Sequence, residues 1–395
     1  MDVGLVLVGL AGAIIVSYFA NQLADRIRLP SVLVLLALGA GLQLAAQAAG
    51  WKIPDLSDVV SLLGTVGLVL IVLEAALDIR ITRGNLIVIL QALGTSIVVI
   101  GLSTAAFAFL FAQALNLDMH RALLFAVPLS ILSSAIVIPS VGGLAKDKKE
   151  FLTLEAAFSD IVGVLLFNFV ASEEAFSWMK VASTGLETLA VAGFAAAAAL
   201  FLVFLMQSNT SPIRYFLIFG FLILFYGLGK LFHLPVLMVI LVFGLVLKNV
   251  DRLGATVLGR YLRFEKLEPE IQSFEAMNGE VSFIVRTFFF ILFGMIIDFQ
   301  GMTNLVVLGL AAAVLILQYV VRVVALVPFV RKGLFTQVLT SPRGLVTVLL
   351  FYSIPGRESV PLLGNVVFVV IAVSVVIMTV TLLFTKKPDP TEKAV

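Results

Sequence analysis

Asp160 is the residue of this sequence whose type and position are best suited to chemistry. It lies in a stretch, 154–167, that is otherwise apolar enough to cross a bilayer, about ten residues beyond the charged segment 146–150. At a rise of about 1.5 Å per residue, this separation places the carboxyl group near the midplane of a membrane. An ionisable group is costly at that depth and is therefore a candidate functional site. Either a proton or a metal cation can neutralise it, and this competition predicts ion exchange.

Three serines could complete a cation site around this carboxylate. Ser159 precedes it on the same predicted helix, and Ser133 and Ser134 lie in the preceding apolar segment. Hydroxyl and main-chain carbonyl oxygens suit hard ions. The sequence therefore predicts that Asp160 binds Na⁺ or K⁺ with help from these hydroxyls. Glu155 lies five positions earlier, about 140° around the helix, so it does not share a face with Asp160.

The composition defines the class of protein that must position these residues. The chain has 395 residues, of which 61% are hydrophobic and 13% are charged, and its mean hydropathy is +1.15. This composition predicts an all-α polytopic membrane protein. The sequence has no cysteine, which excludes disulfides and thiol chemistry. Its two histidines fall near segment ends, which argues against a histidine-based metal site.

Apolar runs bounded by charged residues, glycine and proline predict about thirteen transmembrane helices. Eighteen Lys and Arg residues fall on one predicted side of the membrane and five on the other. By the positive-inside rule, this asymmetry places the N-terminus outside and the C-terminus in the cytoplasm. The predicted segments lie near 3–22, 30–48, 58–77, 84–113, 120–143, 150–171, 183–206, 212–231, 234–249, 272–298, 303–328, 340–354 and 362–385.

Two of these segments, near 120–143 and 340–354, contain helix-breaking residues. The first holds several serines with Pro139, and the second opens with Ser-Pro-Arg-Gly at 341–344. They occupy matching places in two six-helix halves of opposite orientation, and such a pair points to the ion site of a transporter. The sequence thus predicts a transmembrane domain, 1–385, with two discontinuous crossing helices.

That domain is predicted to consist of two inverted repeats joined by a linker helix. Repeat one covers about 1–171, the linker about 183–206 and repeat two about 212–385, followed by a short cytoplasmic tail at 386–395. No soluble domain is expected in addition to these parts.

Other charged residues within the segments are predicted to be mainly structural. Glu74, Glu155 and Arg343 fall at similar depths near the cytoplasmic edge, where they could form a buried pair or triad. Arg286 lies near mid-depth, and Arg322 is predicted to be a snorkelling or structural residue.

At these residues the chain resembles the monovalent cation:proton antiporter superfamily, most closely its NhaP-like and sodium–hydrogen exchanger branch. Glu155 to Asp160 resembles the E-S-x-x-N-D signature, and Arg286 to Gly294 resembles the R-T-x-F-F-x-x-x-G span. Ser341 to Val346 resembles the L-R-G motif of the second broken helix, and Glu74 matches an acid of the third span. Leu29-Pro30 leading to Gly39 and Gly41 matches a typical second span.

The resemblance implies a homodimer in a lipid bilayer, with an interface domain and a moving core domain. It implies that Asp160 is the carboxylate that binds cation and proton. It also makes Glu155 with Arg286, and Glu74 with Arg343, candidate structural pairs. Ser159 stands where relatives carry Asn or Asp, and a single acid favours electroneutral exchange of one cation for one proton.

The predicted function is therefore secondary antiport of Na⁺ or K⁺ against H⁺ by alternating access, without a cofactor, an enzymatic reaction or a nucleic-acid partner. The expected location is a bacterial inner membrane. One alternative is a symporter of an organic anion with sodium on a related inverted-repeat fold, although few polar groups are available for such a substrate. A channel lacks a charged ring or a filter motif, and an intramembrane enzyme lacks a Ser–His constellation.

Overall fold

The computed structural model describes residues 11–12, 14–19, 22, 31–50, 57–81, 84–171, 178–208, 214–231, 236–250, 268–296, 299–328 and 333–385. Within these residues all regular structure is helical, which confirms the predicted all-α class. Most of the predicted segment 3–22, the Leu29-Pro30 motif and the tail 386–395 lie outside the described residues.

Fifteen helices have described bounds, and two short 3₁₀ turns, Val141–Gly143 and Arg357–Ser359, interrupt the sequence between them. In chain order, the helices are α1 (Ser31–Ala48), α2 (Ser57–Asp78), α3 (Leu86–Leu115), α4 (Met119–Ser130), α5 (Ser134–Ser140), α6 (Lys146–Ala171), α7 (Trp178–Ser208), α8 (Arg214–Leu231), α9 (Val236–Lys248), α10 (Glu268–Met295), α11 (Phe299–Met302), α12 (Leu305–Leu326), α13 (Leu334–Leu339), α14 (Leu345–Tyr352) and α15 (Pro361–Phe384).

The long apolar helices establish an integral, multi-pass membrane protein. In the part of the chain that the structure describes, seven helical stretches are long and apolar enough to cross a membrane. Apart from the groups at its two ends, a helix satisfies its backbone hydrogen bonds within the segment, which is why apolar runs of this length fold as helices in lipid. The total of about thirteen and the inverted relation between halves remain predictions. The seven stretches are α1, α3, α6, α12, α15, most of α10, and the interrupted stretch Met119–Gly143.

Both predicted interruptions are present, but the second lies deeper in its helix than the sequence suggested. The backbone is extended at Ile131 and Ser133, between α4 and α5. The second break covers 340–344 and separates α13 from α14. The prediction that this segment begins at 340 was wrong, because a helix of six residues precedes the break. So short a helix offers too few turns for a recognisable periodicity.

The chain divides into two compact units, of which the first contains both interrupted helices. It comprises Met1–Leu68, Val88–Ala171 and Phe283–Val395. Here α4 and α5 pack against α6, and α12 packs along α15. The α4–α6 packing brings the first break next to the helix that carries the predicted carboxylate.

The second unit comprises Val69–Ile87 and Ser172–Ser282. Its centre is α9, which packs on α7 and α8. At the end of α9, the Asn249 side chain accepts a hydrogen bond from Ile81 N at 2.7 Å and donates to Ile79 O at 2.9 Å. These bonds hold the turn that follows α2. The predicted division into repeats and a linker helix stays a prediction.

Two glycines in the first unit allow α1 and α10 to touch backbone to backbone. A Cβ added to Gly294 would lie 2.5 Å from the carbonyl oxygen of Leu36 and 3.0 Å from the Cα of Gly39. A Cβ added to Gly39 would overlap the carbonyl group of Ile291. Small residues are what permit such close helix approach in membranes. This contact explains the glycine that ends the motif beginning at Arg286.

We expect Gly39→Ala to destabilise the protein by about 1–3 kcal/mol, because one methyl group must separate two backbones. Gly41→Ala is the matched control, since nothing lies within 4 Å of a Cβ at that position. The control should be neutral or slightly stabilising, because alanine favours helix over glycine. Thermal unfolding in detergent measures both changes, and equal losses for the two variants would contradict the proposed contact.

Candidate functional site

Asp160 is fully buried on α6, opposite the first break. Its Oδ2 atom accepts hydrogen bonds from the main-chain N–H of Ser134, at 3.4 Å, and from the Ser134 hydroxyl. Its Oδ1 atom has no hydrogen-bond partner among the described residues. The structure therefore brings together two of the predicted site residues and leaves one carboxylate oxygen available for a ligand.

The first break leaves main-chain N–H groups without helical acceptors, and Asp160 accepts a hydrogen bond from one of them. The first amide groups of a helix have no partner inside that helix, and in lipid they cannot turn to water instead. Ser134 begins α5, and its amide points to the carboxylate of Asp160. A carboxylate at this place is favoured by the positive end of the helix dipole. The same bonds fix the direction of the carboxyl group.

Ser159 also supports the break. Its hydroxyl oxygen accepts a hydrogen bond of 2.8 Å from the main-chain N–H of Leu132, in the extended segment between α4 and α5. The residue thus supplies an acceptor to an amide that no helix satisfies. Its predicted role as a cation ligand stays a prediction.

The hydroxyl group of Ser133 could act as an additional ligand to a cation. Its hydroxyl is buried and has no hydrogen-bond partner among the described residues. Its main-chain N–H donates to the carbonyl oxygen of Pro342, at 3.0 Å, so the two breaks are hydrogen-bonded to each other. The sequence predicted both breaks, and the structure adds the bond that joins them.

Removing the Ser159 hydroxyl should destabilise the protein. We expect Ser159→Ala to cost about 1–3 kcal/mol, because the Leu132 amide would be left buried without an acceptor. Ser140→Ala is the control, since that hydroxyl only donates to Ile136 O within its own turn. Thermal unfolding of the two purified variants gives the comparison, and a Ser159→Ala protein as stable as the control would contradict the assigned role.

The second break is held from three sides. Gln318 of α12 donates to the carbonyl oxygen of Ser341 at 2.7 Å. Ser374 of α15 accepts a hydrogen bond of 3.1 Å from the main-chain N–H of Arg343. Gly344 faces the first break, where an added Cβ would lie 2.9 Å from the Cβ of Ser133. Only glycine fits at such an approach, so residue 344 must lack a side chain for the two breaks to meet.

The structure gives Glu155 a different arginine from the one predicted. Both oxygens of Glu155 accept hydrogen bonds from Arg322, at 2.9 and 3.0 Å, and both side chains are buried. Arg322 also donates to Gln337 O, the carbonyl at the end of α13, at 2.8 Å. The predicted pairing of Glu155 with Arg286 was therefore wrong. Of the two roles predicted for Arg322, snorkelling or structural, the buried ion pair agrees with the structural one. Depth along a helix limits the candidate partners, but the direction a side chain faces decides between them.

The second predicted pair, Glu74 with Arg343, is not observed as an ion pair within the described residues. The carboxylate of Glu74 accepts a hydrogen bond from Ser282 at 2.7 Å. The Arg343 side chain is fully buried, and none of its three nitrogen atoms has a hydrogen-bond partner in the described part of the chain. Arg343 also lies inside a break rather than at the entrance of a helix.

The groups around Asp160 are oxygen donors rather than a cluster of acids and histidines. Among the described residues no group of three or more Asp, Glu or His side chains could hold a metal ion together. What is present is one buried carboxylate, two serine hydroxyls and the carbonyl oxygens of unwound backbone. Such oxygens can replace part of the hydration shell of a monovalent cation, and the carboxylate alone can take a proton.

The residues that sequence reasoning missed are Gln318 and Ser374, and for Arg322 it missed the partner, Glu155. Gln318 and Arg322 are four positions apart in an otherwise apolar helix, so they share one face. A polar pair at that spacing within a membrane helix was the signal that could have identified them.

The fold and the site together define a polytopic membrane protein with a buried carboxylate at a pair of interrupted helices, the arrangement of secondary transporters. The family model described as "Sodium/hydrogen exchanger, transmembrane" matches residues 10–386. The chain therefore belongs to the sodium/hydrogen exchanger family, which confirms the predicted resemblance and places it among transporters rather than enzymes.

Solved structures support the same fold. The sodium proton antiporter MjNhaP1 from Methanocaldococcus jannaschii at pH 8 aligns with a TM-score of 0.72 at 18% identity, covering 97% of this chain and 99% of that one. A structure of the same antiporter from an electron-microscopy map aligns with a TM-score of 0.69 at 17% identity, covering 98% and 100%. A comparison with curated protein sequences found no match.

Proposed function

We propose that this protein is a secondary antiporter that exchanges a monovalent cation, Na⁺ or K⁺, for H⁺. The observation that carries the proposal is the state of Asp160, a fully buried carboxylate with one oxygen held by Ser134 and the other without a hydrogen-bond partner among the described residues. A carboxylate in that position needs a neutralising ion. Family membership and the similarity to a sodium proton antiporter agree with this choice.

Competition at this carboxylate supplies the coupling. A proton on Asp160 and a cation bound to it neutralise the same charge, so the two ligands exclude each other. The loaded site can move through an apolar barrier, whereas the bare carboxylate is too costly to move. Alternating access of the site to the two sides then exchanges one ion for the other. Ser133 is the side-chain oxygen best placed to join the cation shell, because its hydroxyl is buried and uncommitted.

We further propose that the exchange is electroneutral. The charge of Glu155 is already balanced by Arg322, which leaves Asp160 as the buried acid of α6 that is available to a transported ion. Ser159 adds no charge beside it. One carboxylate exchanges one cation for one proton, so a membrane voltage should neither drive nor oppose the cycle.

The assembly and location follow from the predicted organisation. We propose a homodimer in a bacterial inner membrane, with the N-terminus outside and the C-terminus in the cytoplasm. The large excess of Lys and Arg on one predicted side supports this orientation.

Proteoliposomes containing the purified protein and a pH-sensitive dye test the function. Adding Na⁺, K⁺ or Li⁺ outside acid-loaded vesicles should produce proton efflux with at least one of them. Clamping the membrane potential with valinomycin and potassium, in a sodium experiment, should leave the rate unchanged if exchange is one for one. Vesicles whose pH does not respond to any of the three cations would contradict the proposal.

A further inference from the structure

Gln318 is a polar residue that takes no part in the proposed exchange chemistry, and burying its amide costs free energy. It lies in the apolar helix α12 with none of its surface exposed. Its Oε1 atom has no hydrogen-bond partner in the described residues, so the amide keeps only its donor contacts. A buried amide of this kind is costly unless those contacts are required.

The donor contacts both fall on the second break. Gln318 Nε2 lies 2.7 Å from the carbonyl oxygen of Ser341 and 3.0 Å from its hydroxyl oxygen. Ser341 sits where the backbone has left α13 and has not yet entered α14, so its carbonyl has no helical donor. The Gln318 amide satisfies that carbonyl and fixes the path of the unwound chain.

A continuous route of bonds then leads from Gln318 to the carboxylate. Ser341 is joined by a peptide bond to Pro342, whose carbonyl oxygen accepts the N–H of Ser133 at 3.0 Å. Ser133 is followed by Ser134, whose N–H and hydroxyl both donate to Asp160. Displacing Ser341 therefore moves Pro342, and with it the hydroxyl of Ser133.

We propose that Gln318 is a positioning residue for the cation step of the exchange. Its bond to Ser341 fixes the second break. The bond from Ser133 to Pro342 in turn fixes the first break, which positions the Ser133 and Ser134 oxygens relative to Asp160. This inference rests on the proposed function. A cation needs several oxygens at fixed distances, whereas a proton needs one. Gln318 therefore determines how tightly the cation binds and has little effect on the ability of Asp160 to take a proton.

The test is Gln318→Met, which keeps the length of the side chain and removes both donor bonds. In proteoliposomes we expect it to raise the KM for Na⁺ about fivefold, the factor that corresponds to one ordinary hydrogen bond, with Vmax within about twofold of wild type. Loss of folded protein lowers Vmax and leaves KM unchanged, so weakened cation binding can be distinguished from a folding defect.

Gln337→Met is the matched control. Gln337 is also buried, on α13, and its side chain makes no hydrogen bond within the described residues. Its KM should equal that of wild type. If Gln318→Met does not fold, Gln318→Asn retains the amide but shortens its reach by one methylene, and it should raise KM in the same direction.

Two results would overturn the inference. One is a folded Gln318 variant whose KM for Na⁺ stays within about twofold of wild type, since a lost hydrogen bond predicts more. The other is an equal rise in KM for Gln318→Met and Gln337→Met. Both differ from a failure of the proposed function, in which the wild-type protein itself gives no cation-dependent proton flux.

Discussion

Asp160→Asn is expected to abolish cation-dependent proton flux, reducing it to the level of protein-free liposomes. The amide group of asparagine has about the same size as the carboxyl group of aspartate, and its oxygen can still accept the hydrogen bonds of Ser134. It cannot take up a proton or supply a negative charge to a cation, so the step that couples the two ions is lost. The protein should remain as stable as wild type, because a buried amide costs less than a buried charge.

Asp147→Asn makes the same change on the same helix and serves as the control. Asp147 lies in the first turn of α6 and is exposed. Flux in that variant should match wild type. Dye-based flux and thermal unfolding must be measured on the same preparations, so that a folding defect is not mistaken for lost transport. Cation-dependent flux that survives Asp160→Asn at wild-type rates would refute the role assigned to this carboxylate.

Arg322→Met is expected to destabilise the protein by about 3–5 kcal/mol, because it leaves the carboxylate of Glu155 buried without its partner. The loss includes the hydrogen bond from Arg322 to the end of α13. The double variant Glu155→Met with Arg322→Met should recover most of the stability, since an apolar pair of similar size carries no desolvation cost.

Unfolding of the two single variants and the double variant in detergent forms a thermodynamic cycle for this pair. Glu358→Gln is the exposed reference, because its side chain is 75% accessible and its contact with Arg357 is 3.7 Å. That change should stay within about 0.5 kcal/mol of wild type. Losses in the single variants that simply add up in the double variant would show that Glu155 and Arg322 are not coupled.

The central features of the site could be predicted because they are local in sequence. Asp160 stands out by its depth in one apolar segment, and the breaks stand out by their serine, proline and glycine residues. Ser134 follows from its place in the first break. Each of these signals lies within a few neighbouring residues, where hydrophobicity and helix propensity determine the structure.

The partners could not be predicted because they depend on how helices are rotated against one another. Glu155 and Arg322 are 167 positions apart, and Gln318 and Ser341 are 23 positions apart. Arg286 has a comparable depth, so depth alone did not exclude it. The choice between the arginines depends on which face of each helix points inward and on which helix lies opposite. The shared face of Gln318 and Arg322 indicates the inward side of α12, but it does not identify the helix that packs against it.

The hydrogen bond between the two breaks can form only late in the synthesis of the chain. More than two hundred residues separate Ser133 from Pro342. At about 5–20 residues per second, a ribosome needs about 10–40 s to synthesise that stretch. Throughout this interval the amide of Ser133 is inserted without its acceptor. The first break therefore lacks this acceptor until residue 342 has been synthesised.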